Sequence, residues 1–427
     1  MRFRLLAAVV AIALPAQHAL VAQQKLTLAE AEKLALRHNP QISSAQFSAA
    51  AAHQTPKEFH AGLEPLLTGS LTGVGADTGS RIGAGNITNS VLYNRIGSGV
   101  AISQLVTDFG RTGNLIASAN LRAQAQDQLT ETARADVLMT TARAYFAVLR
   151  ANAVLKVAQQ TVAEREIVRD KVDALYKNEL KSKLDASFAS VRLAEAKLFL
   201  SQAESDVHAA EAALASAIGA PTQGGFQLAE EPMPAPLPDS AEPLIRQALQ
   251  DRPELKDLRL EQSAAERFTR AEKALRYPTI SAAGVTGIVP AGQAQVQPRY
   301  GAAGVNVSIP ILDGGLYGAR RTEAELKAKA AAERVAAQAN LITRDVRTAY
   351  LNAATAGERV GLTEQLLAQA QLSLDLAQGR YDLGLSSIVE LSEAQLSLTS
   401  AQISNAAARY EYQAQRLFVD YQVGALR

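Results

Sequence analysis

Two periods of apolar residues alternate along this chain, and the change from one to the other occurs twice. Val305, Val307, Ile309 and Ile311 alternate with Asn306, Ser308 and Pro310, the period of two expected of a strand with one apolar face. The chain then turns at Asp313-Gly314-Gly315, and residues 319–339 are dominated by Ala, Glu, Lys, Arg and Gln, which are strong helix formers. Pro310 cannot donate to a ladder and is placed at the strand's end. The paired glycines allow the sharp change of direction that follows. A short strand is therefore predicted to feed directly into a very long helix.

The same succession occurs earlier. Val100, Ile102 and Gln104 lead to Asp108-Phe109-Gly110 and an Ala-rich run over 117–125. Asp108 and Asp313, Tyr145 and Tyr350, and Tyr176 and Tyr381 are each separated by 205 positions. Residues 35–40 and 248–253 also match, at an offset of 213. The chain reads as a tandem repeat, and neither copy buries its apolar faces alone. The predicted boundaries are a first repeat over 23–219, a Pro-rich linker over 220–240 and a second repeat over 241–427. Pro221, Pro232, Pro234, Pro236 and Pro238 make the linker semi-extended.

Within the first repeat the pattern predicts a helix from Leu26 to Phe59, with Thr27 and Glu30 at capping-box spacing and a break at Pro40. Strands follow at Pro65–Val74 and Arg95–Thr107, joined by a long loop over Gly75–Asn94 that holds the first copy's extra residues. One helix is expected from about Thr112 to Tyr176. Val154, Ala158, Thr161, Arg165, Val168, Val172 and Leu175 keep four-three spacing along it, a coiled-coil seam with one charged interruption. After a turn at Lys177–Lys183, an antiparallel helix carries the seam Leu193, Ala196, Leu200, Ala203, Val207, Ala210 and Leu214 and stops at Gly219. The second repeat is expected to follow the same course. It has a helix to Arg276 broken near Pro253, strands at Pro278–Val289 and Arg299–Leu312, and a helix from Leu316 to about Gly379. A turn at Tyr381–Ser387 leads to a last helix seamed by Leu391, Ala394, Leu398 and Ala401.

Composition narrows the class. Of 427 residues, 48% are hydrophobic but only 5% aromatic, so alanine supplies much of the apolar count, as closely packed helices require. The net charge of +1 offers no basic face for nucleic acid. Residues 1–22 read as a cleaved secretory signal: Arg2 and Arg4, an apolar core over Leu5–Leu14, and a small-residue exit to Ala22. The chain has no cysteine, so no lipid-modified cysteine is expected. No later run is long and apolar enough for a transmembrane helix. A membrane-embedded form must then be a barrel.

Ile309-Pro310-Ile311-Leu312-Asp313-Gly314-Gly315, Tyr381-Asp382-Leu383-Gly384-Leu385-Ser386-Ser387-Ile388-Val389-Glu390-Leu391 and the later Ala394-Gln395-Leu398, in a doubled strand-strand-helix-turn-helix order, resemble the TolC-like outer-membrane efflux proteins. The resemblance implies a mainly helical chain with a β-barrel part. Three protomers would each give four strands to one 12-stranded outer-membrane barrel, and the helices would form a tube across the periplasm. It implies a passive exit duct of a tripartite efflux or type I secretion system, partnered by a periplasmic adaptor and an inner-membrane pump of the RND, ABC or MFS class. Independently, four strands cannot close a membrane barrel, since the smallest have eight. The alternatives are a periplasmic adaptor, which would carry one hairpin and more strands, and a soluble coiled-coil scaffold.

Asp108-Phe109-Gly110 copies a kinase metal-binding triplet, but no Gly-rich loop or catalytic-loop motif accompanies it. Asp108, Gly110, Pro310, Asp313, Gly314 and Gly315 are read as strand-to-helix junctions. His53 and His60 are two turns apart and read as solvated surface. No catalytic residue, cofactor or metal site is expected. Glu390 and Glu393 share a helix face and also suit a first helical turn. The resemblance makes them an acidic constriction at the tube's periplasmic mouth, with Tyr381 as a gating residue and Ser386 in place of the family's arginine. It also makes Gly384 and Leu385 an adaptor-contacting tip, with Glu179 and Leu180 as the first-repeat tip, which lacks the glycine.

Overall fold

The structure is a computed structural model. It describes residues 25–77, 81–84, 87–91, 93–220 and 226–426, with only the backbone course of 81–84 and 87–91. The expected leader and part of the linker lie outside these residues. The first repeat runs α1 (Leu28–His38), α2 (Pro40–Ala52), α3 (Thr55–Ala61), β1 (Leu66–Val74), β2 (Arg81–Ala84), β3 (Ile87–Val91), β4 (Arg95–Thr107), α4 (Arg111–Lys177) and α5 (Lys183–Ala217). The second runs α6 (Glu242–Asp251), α7 (Pro253–Lys273), a single 3₁₀ turn, β5 (Thr279–Gly292), β6 (Arg299–Ser308), α8 (Leu316–Asp382) and α9 (Ile388–Val423). Helices α4 and α8 both have 67 residues, roughly 100 Å at 1.5 Å per residue. None of the described helices is long and apolar enough to cross a membrane.

Four expectations need correction. The segment expected as a loop over Gly75–Asn94 contains the antiparallel hairpin β2–β3. Strand β6 ends at Ser308, so Ile309–Leu312 follow it as an exposed connection; Pro310, without an N–H, cannot extend the ladder. Strand β5 instead reaches Gly292 and contains Pro290, which sits where the β4–β5 register shifts between Ile96 and Ser98. The first helix breaks at His53-Gln54 as well as at Asn39, because Pro56 disfavours a continuous helix through the residue before it. The second copy lacks that proline and keeps α7 whole.

β1, β4, β5 and β6 form one antiparallel sheet in that order. Its register sorts the side chains, since residues opposite each other share a face. Leu67, Leu71, Val100, Ile102, Ile288, Val305 and Val307 fall on one face, all exposed. The other face is mostly Thr, Ser, Gly, Ala and Asn, with Leu66, Val74, Leu105, Val285 and Tyr300 among its larger members. Gly99, Gly287 and Tyr300 form one cross-strand row on this second face. A Cβ on Gly287 would lie 2.4 Å from the Tyr300 hydroxyl, so these glycines admit the tyrosine ring.

The helices repeat the strand order. α4 packs between α5, α2 and α3 on one side and α9 and α7 on the other, and α8 packs on α9 and α7. The line α2–α3 leads into β1, β4 leads into α4, α7 leads into β5, and β6 leads into α8. Sheet and helices are thus one continuous wall. The seams pack as their spacing predicts: Leu193, Ala196, Ala203, Val207 and Leu214 on α5, and Leu391, Ala394, Leu398 and Ala401 on α9, are buried.

Residues that end the long helices adopt left-handed backbone angles. Glu179 has φ 59° and its repeat partner Gly384 has φ 71°. Gly219 and Gly424, also partners, have φ 76° and 78°. At all four ends the two N–H groups beyond the helix bond back to its last carbonyls, as in Leu180 N to Leu175 O and Leu385 N to Arg380 O, a Schellman closure. Gly219 also abuts the α1–α2 break: a Cβ there would sit 2.6 Å from the His38 carbonyl oxygen, whereas one on Gly384 meets nothing within 4 Å. Replacing Gly384 by Ala should cost about 1 kcal/mol from the backbone alone, and Glu179→Gly should gain a similar amount. Gly219→Ala should cost distinctly more than Gly384→Ala, because it also separates α5 from α1–α2. Unfolding midpoints of the three variants check this ranking.

Candidate functional site

The hairpin tips α4–α5 and α8–α9 bring together most of the residues expected to act. Ser182 and Ser387, partners in the repeat, cap α5 and α9 by accepting from the N–H groups of Asp185 and Glu390. Tyr381 is not in the turn, as expected, but in the last turn of α8, which runs on to Asp382. Its ring is buried in a cluster with Val172, Ala189, Ile388 and Leu391, so it ties α8 to all three other long helices. Lys171 and Lys181 lie over that ring, at 6.0 and 4.9 Å from its centroid. Burial first, then the nearby carboxylates of Asp185 and Asp382, pushes the Tyr381 hydroxyl above the ordinary tyrosine range.

The hydroxyl of Tyr381 is buried without a hydrogen-bond partner, as is that of Ser386. Beside them, Lys171 Nζ on α4 donates to Asp382 Oδ1 on α8 at 2.5 Å. That bond, with one from Gln378, holds the Asp382 carboxyl below its usual range. Lys171 and Lys181 were not singled out in the sequence, where they look like ordinary surface charge, and Asp382 entered only as part of the quoted motif.

Glu390 and Glu393 emerge from the start of α9, but their surroundings differ. Arg380 Nε on α8 lies 3.1 Å from Glu390 Oε1. Glu393 is exposed and has no ion pair among the described residues. The acidic pair is therefore half neutralised within one chain by an arginine that sequence reasoning missed. The tips themselves are apolar: Leu180, Leu383 and Leu385 are each more than two-thirds exposed. Because Glu179 adopts the same left-handed angle as Gly384, the two tips share a backbone course and differ in side chains.

Higher on the interface, the charged member of the α4 seam is buried. Arg165 is 5% exposed and donates through Nη1 to Ser392 Oγ and Gln395 Oε1 on α9. Burial first, then the Arg192 charge, lowers its pKa. At the strand-to-helix junctions, Asp108 Oδ2 accepts from Thr112 N at 2.7 Å, and Asp313 Oδ2 accepts from Tyr317 N at 2.9 Å. Gly110 and Gly315 precede the long helices with φ 90° and 87°. Phe109 takes the left-handed angle that glycine supplies at Gly314, with φ 54°, and its ring lies 5.9 Å from that of Tyr277. The kinase-like triplet is thus a turn. The expected solvated histidines each lie beside a carboxylate: His53 Nε2 is 3.0 Å from Asp127, and His60 Nδ1 is 3.7 Å from Glu64.

A doubled wall with an apolar outer sheet face, small polar residues behind it and long helical hairpins below defines a channel protein of the bacterial envelope. The chain belongs to the outer membrane efflux protein family, which it matches over residues 31–220 and 244–419. It is 24% identical to the outer membrane protein TolC of Salmonella enteritidis over 419 residues, 94% of this chain and 83% of that one. It is 27% identical to the pyoverdine export outer membrane protein OpmQ of Pseudomonas aeruginosa over 297 residues, 66% of this chain and 60% of OpmQ. In fold it is similar to the Campylobacter jejuni CmeC outer membrane channel, with TM-score 0.79, 18% identity and coverage of 93% and 85% of the two chains. The open state of the Neisseria gonorrhoeae MtrE outer membrane channel gives TM-score 0.75, 22% identity and coverage of 94% and 89%. The protein is an outer-membrane efflux channel with its helical part in the periplasm, rather than an adaptor or a scaffold, and its family is one of channels.

The Tyr381 geometry yields a test. Its ring fills the tip cluster while its hydroxyl bonds to nothing, so Tyr381→Phe should leave the unfolding midpoint unchanged or slightly raised, the hydroxyl having no bond to lose. Tyr381→Ala should cost about 3–5 kcal/mol by opening a cavity. Chemical denaturation of the three proteins compares them directly.

Proposed function

We propose that three copies of this chain close into one tube, which carries cargo from an inner-membrane pump and its periplasmic adaptor to the cell exterior. The observation that supports this is a wall with two open edges. β1 and β6 each have one unpaired side, and an unpaired strand edge has no place in a bilayer. Three copies of four strands make a barrel of twelve, well above the smallest that close. The helical edges fit the same closure. Leu184, Val191 and Leu198 on α5 recur every seventh residue and are 77, 53 and 73% exposed. On α8, Leu351, Leu362, Leu372 and Leu376 are all more than half exposed, on the side away from the Ala-rich face buried on α9. These stripes meet when α8 of one copy lies beside α5 of the next. The two repeats, 23–219 and 241–427 about the Pro-rich linker, supply the alternating parts of this wall.

In this reading Gly384, Leu385, Glu179 and Leu180 meet the adaptor, and the pump is of the RND, ABC or MFS class. Tyr381, Ser386, Glu390 and Glu393 form the periplasmic gate, with Glu393 bearing the free charge. The name of OpmQ supports a small-molecule cargo. The purified protein in detergent should have three times the protomer mass. A monomer with a closed barrel overturns the assembly. In planar bilayers, Glu393→Ala should reduce cation selectivity more than Glu390→Ala, because Arg380 already offsets Glu390, and Arg380→Ala should increase it. Reversal potentials in a salt gradient measure all three; equal values for the two glutamate variants remove Arg380 from the gate.

A further inference from the structure

We infer that the tube wall level with α1 carries a binding station for organic anions, built by Arg143, Arg150 and Phe418. The inference rests on the three-copy tube proposed above. From residue 136 to 150, α4 is buried on nearly every side, and its exposed positions are Asp136, Thr140, Arg143, Ala147 and Arg150. Their four-three spacing makes a single stripe. Tyr145 lies about 200° around the helix from Arg143 at 100° per residue, and its hydroxyl donates to the carbonyls of Leu26 and Ala229, which flank α1 and the linker. Three copies of α1 and its linker would plug the bore, so they lie outside the tube and the opposite stripe faces inward.

At this stripe a cavity of about 300 Å³ opens between α4 and α9. Phe146, Tyr410 and Phe418 give it apolar walls, and Arg143 and Arg150 its charge. The Arg143 guanidinium carbon is 4.8 Å from the Phe418 ring centroid, and Phe418 stacks on Tyr421 with an interplanar angle of 14°. Two carboxylates share this surface. Asp136 accepts from the Tyr421 hydroxyl at 2.5 Å, and Glu411 accepts from Gln415 at 2.7 Å. Neither is ion-paired with Arg143 or Arg150, and among the described residues neither arginine has an ion-pair partner. The cavity therefore presents two guanidinium groups beside an aromatic shelf.

The second repeat shows that the fold does not need these charges. Tyr350 matches Tyr145 and keeps the outward hydroxyl bond, to the Pro238 carbonyl. Ala349 matches Ala144, and both are buried. At the same 205-residue offset, Arg143 and Arg150 are replaced by Thr348 and Thr355, both exposed. What anchors the helix is kept in both copies, and the inward charge is placed in one. A guanidinium binds a carboxylate, sulfonate or phosphate through parallel N–H groups, and an aromatic neighbour takes the flat apolar part of the same molecule. The ligand class is thus an anion carried on an aromatic or apolar body.

The test replaces both arginines with the residues that the second copy tolerates, Arg143→Thr with Arg150→Thr. Single-channel current is recorded in planar bilayers with naphthalene-2-sulfonate added, alongside detergent mass of each protein. Wild-type trimers should be blocked by the sulfonate. The double variant should stay trimeric and need about tenfold more sulfonate for the same block, the loss expected for about 1.4 kcal/mol. Its reversal potential should also shift toward cation preference. Trimers that are blocked equally, or a wild-type trimer that is not blocked, overturn the anion station alone. A wild-type protein that is not trimeric overturns the tube and the station with it.

Discussion

A strand edge left open in a bilayer exposes N–H and C=O groups that lipid cannot satisfy, and most of this structure is arranged around that constraint. Four strands cannot curl far enough to close on themselves, so the chain carries an unfinished sheet. The helices below it inherit the same order and the same unfinished edges. Apolar residues left exposed on α5 and α8 would be a liability on a monomer. On a wall element they are the counterpart of the unpaired strands.

The two repeats separate what the wall requires from what this protein does with it. Left-handed helix ends, serine caps and carboxylate-capped junctions recur at the same offset, because each long helix must end at a set level and its last carbonyls need partners. Departures from the symmetry are concentrated in charge. Arg380 and Glu393 belong to one tip, where the first copy has Leu175 and Phe188, and Arg143 and Arg150 to one level of the wall. Where a second copy folds without a given side chain, the fold cannot be the reason for that side chain. Glu179 and Phe109 are departures of another kind: each occupies a left-handed position that its partner fills with glycine, at a backbone cost of about 1–2 kcal/mol.

Much of the architecture was legible in the sequence because it depends on short-range physics. The 205-residue offset, the four-three seams, the Asn39 and Gly219 boundaries and the strand-to-helix turns follow from residue size, capping and glycine freedom, all of which act within a few residues. The apolar face of the sheet was legible in β6, where Val305 and Val307 alternate with polar residues, but not in β1 and β4. Glycines and serines interrupt β1 and β4, and only the cross-strand register gathers Leu67, Val100, Ile102, Ile288 and Val305 onto one side. The early end of β6 and the β2–β3 hairpin were misread for the same reason, since pairing decides where a strand stops. Charge pairing was equally hidden. Arg380 with Glu390, and Lys171 with Asp382, join different helices, and no local pattern encodes a distance between helices. The sequence by itself determined a doubled chain of short strands and very long helices. Tertiary structure decided which faces look outward and which charges remain free, because both depend on neighbours that are distant along the chain.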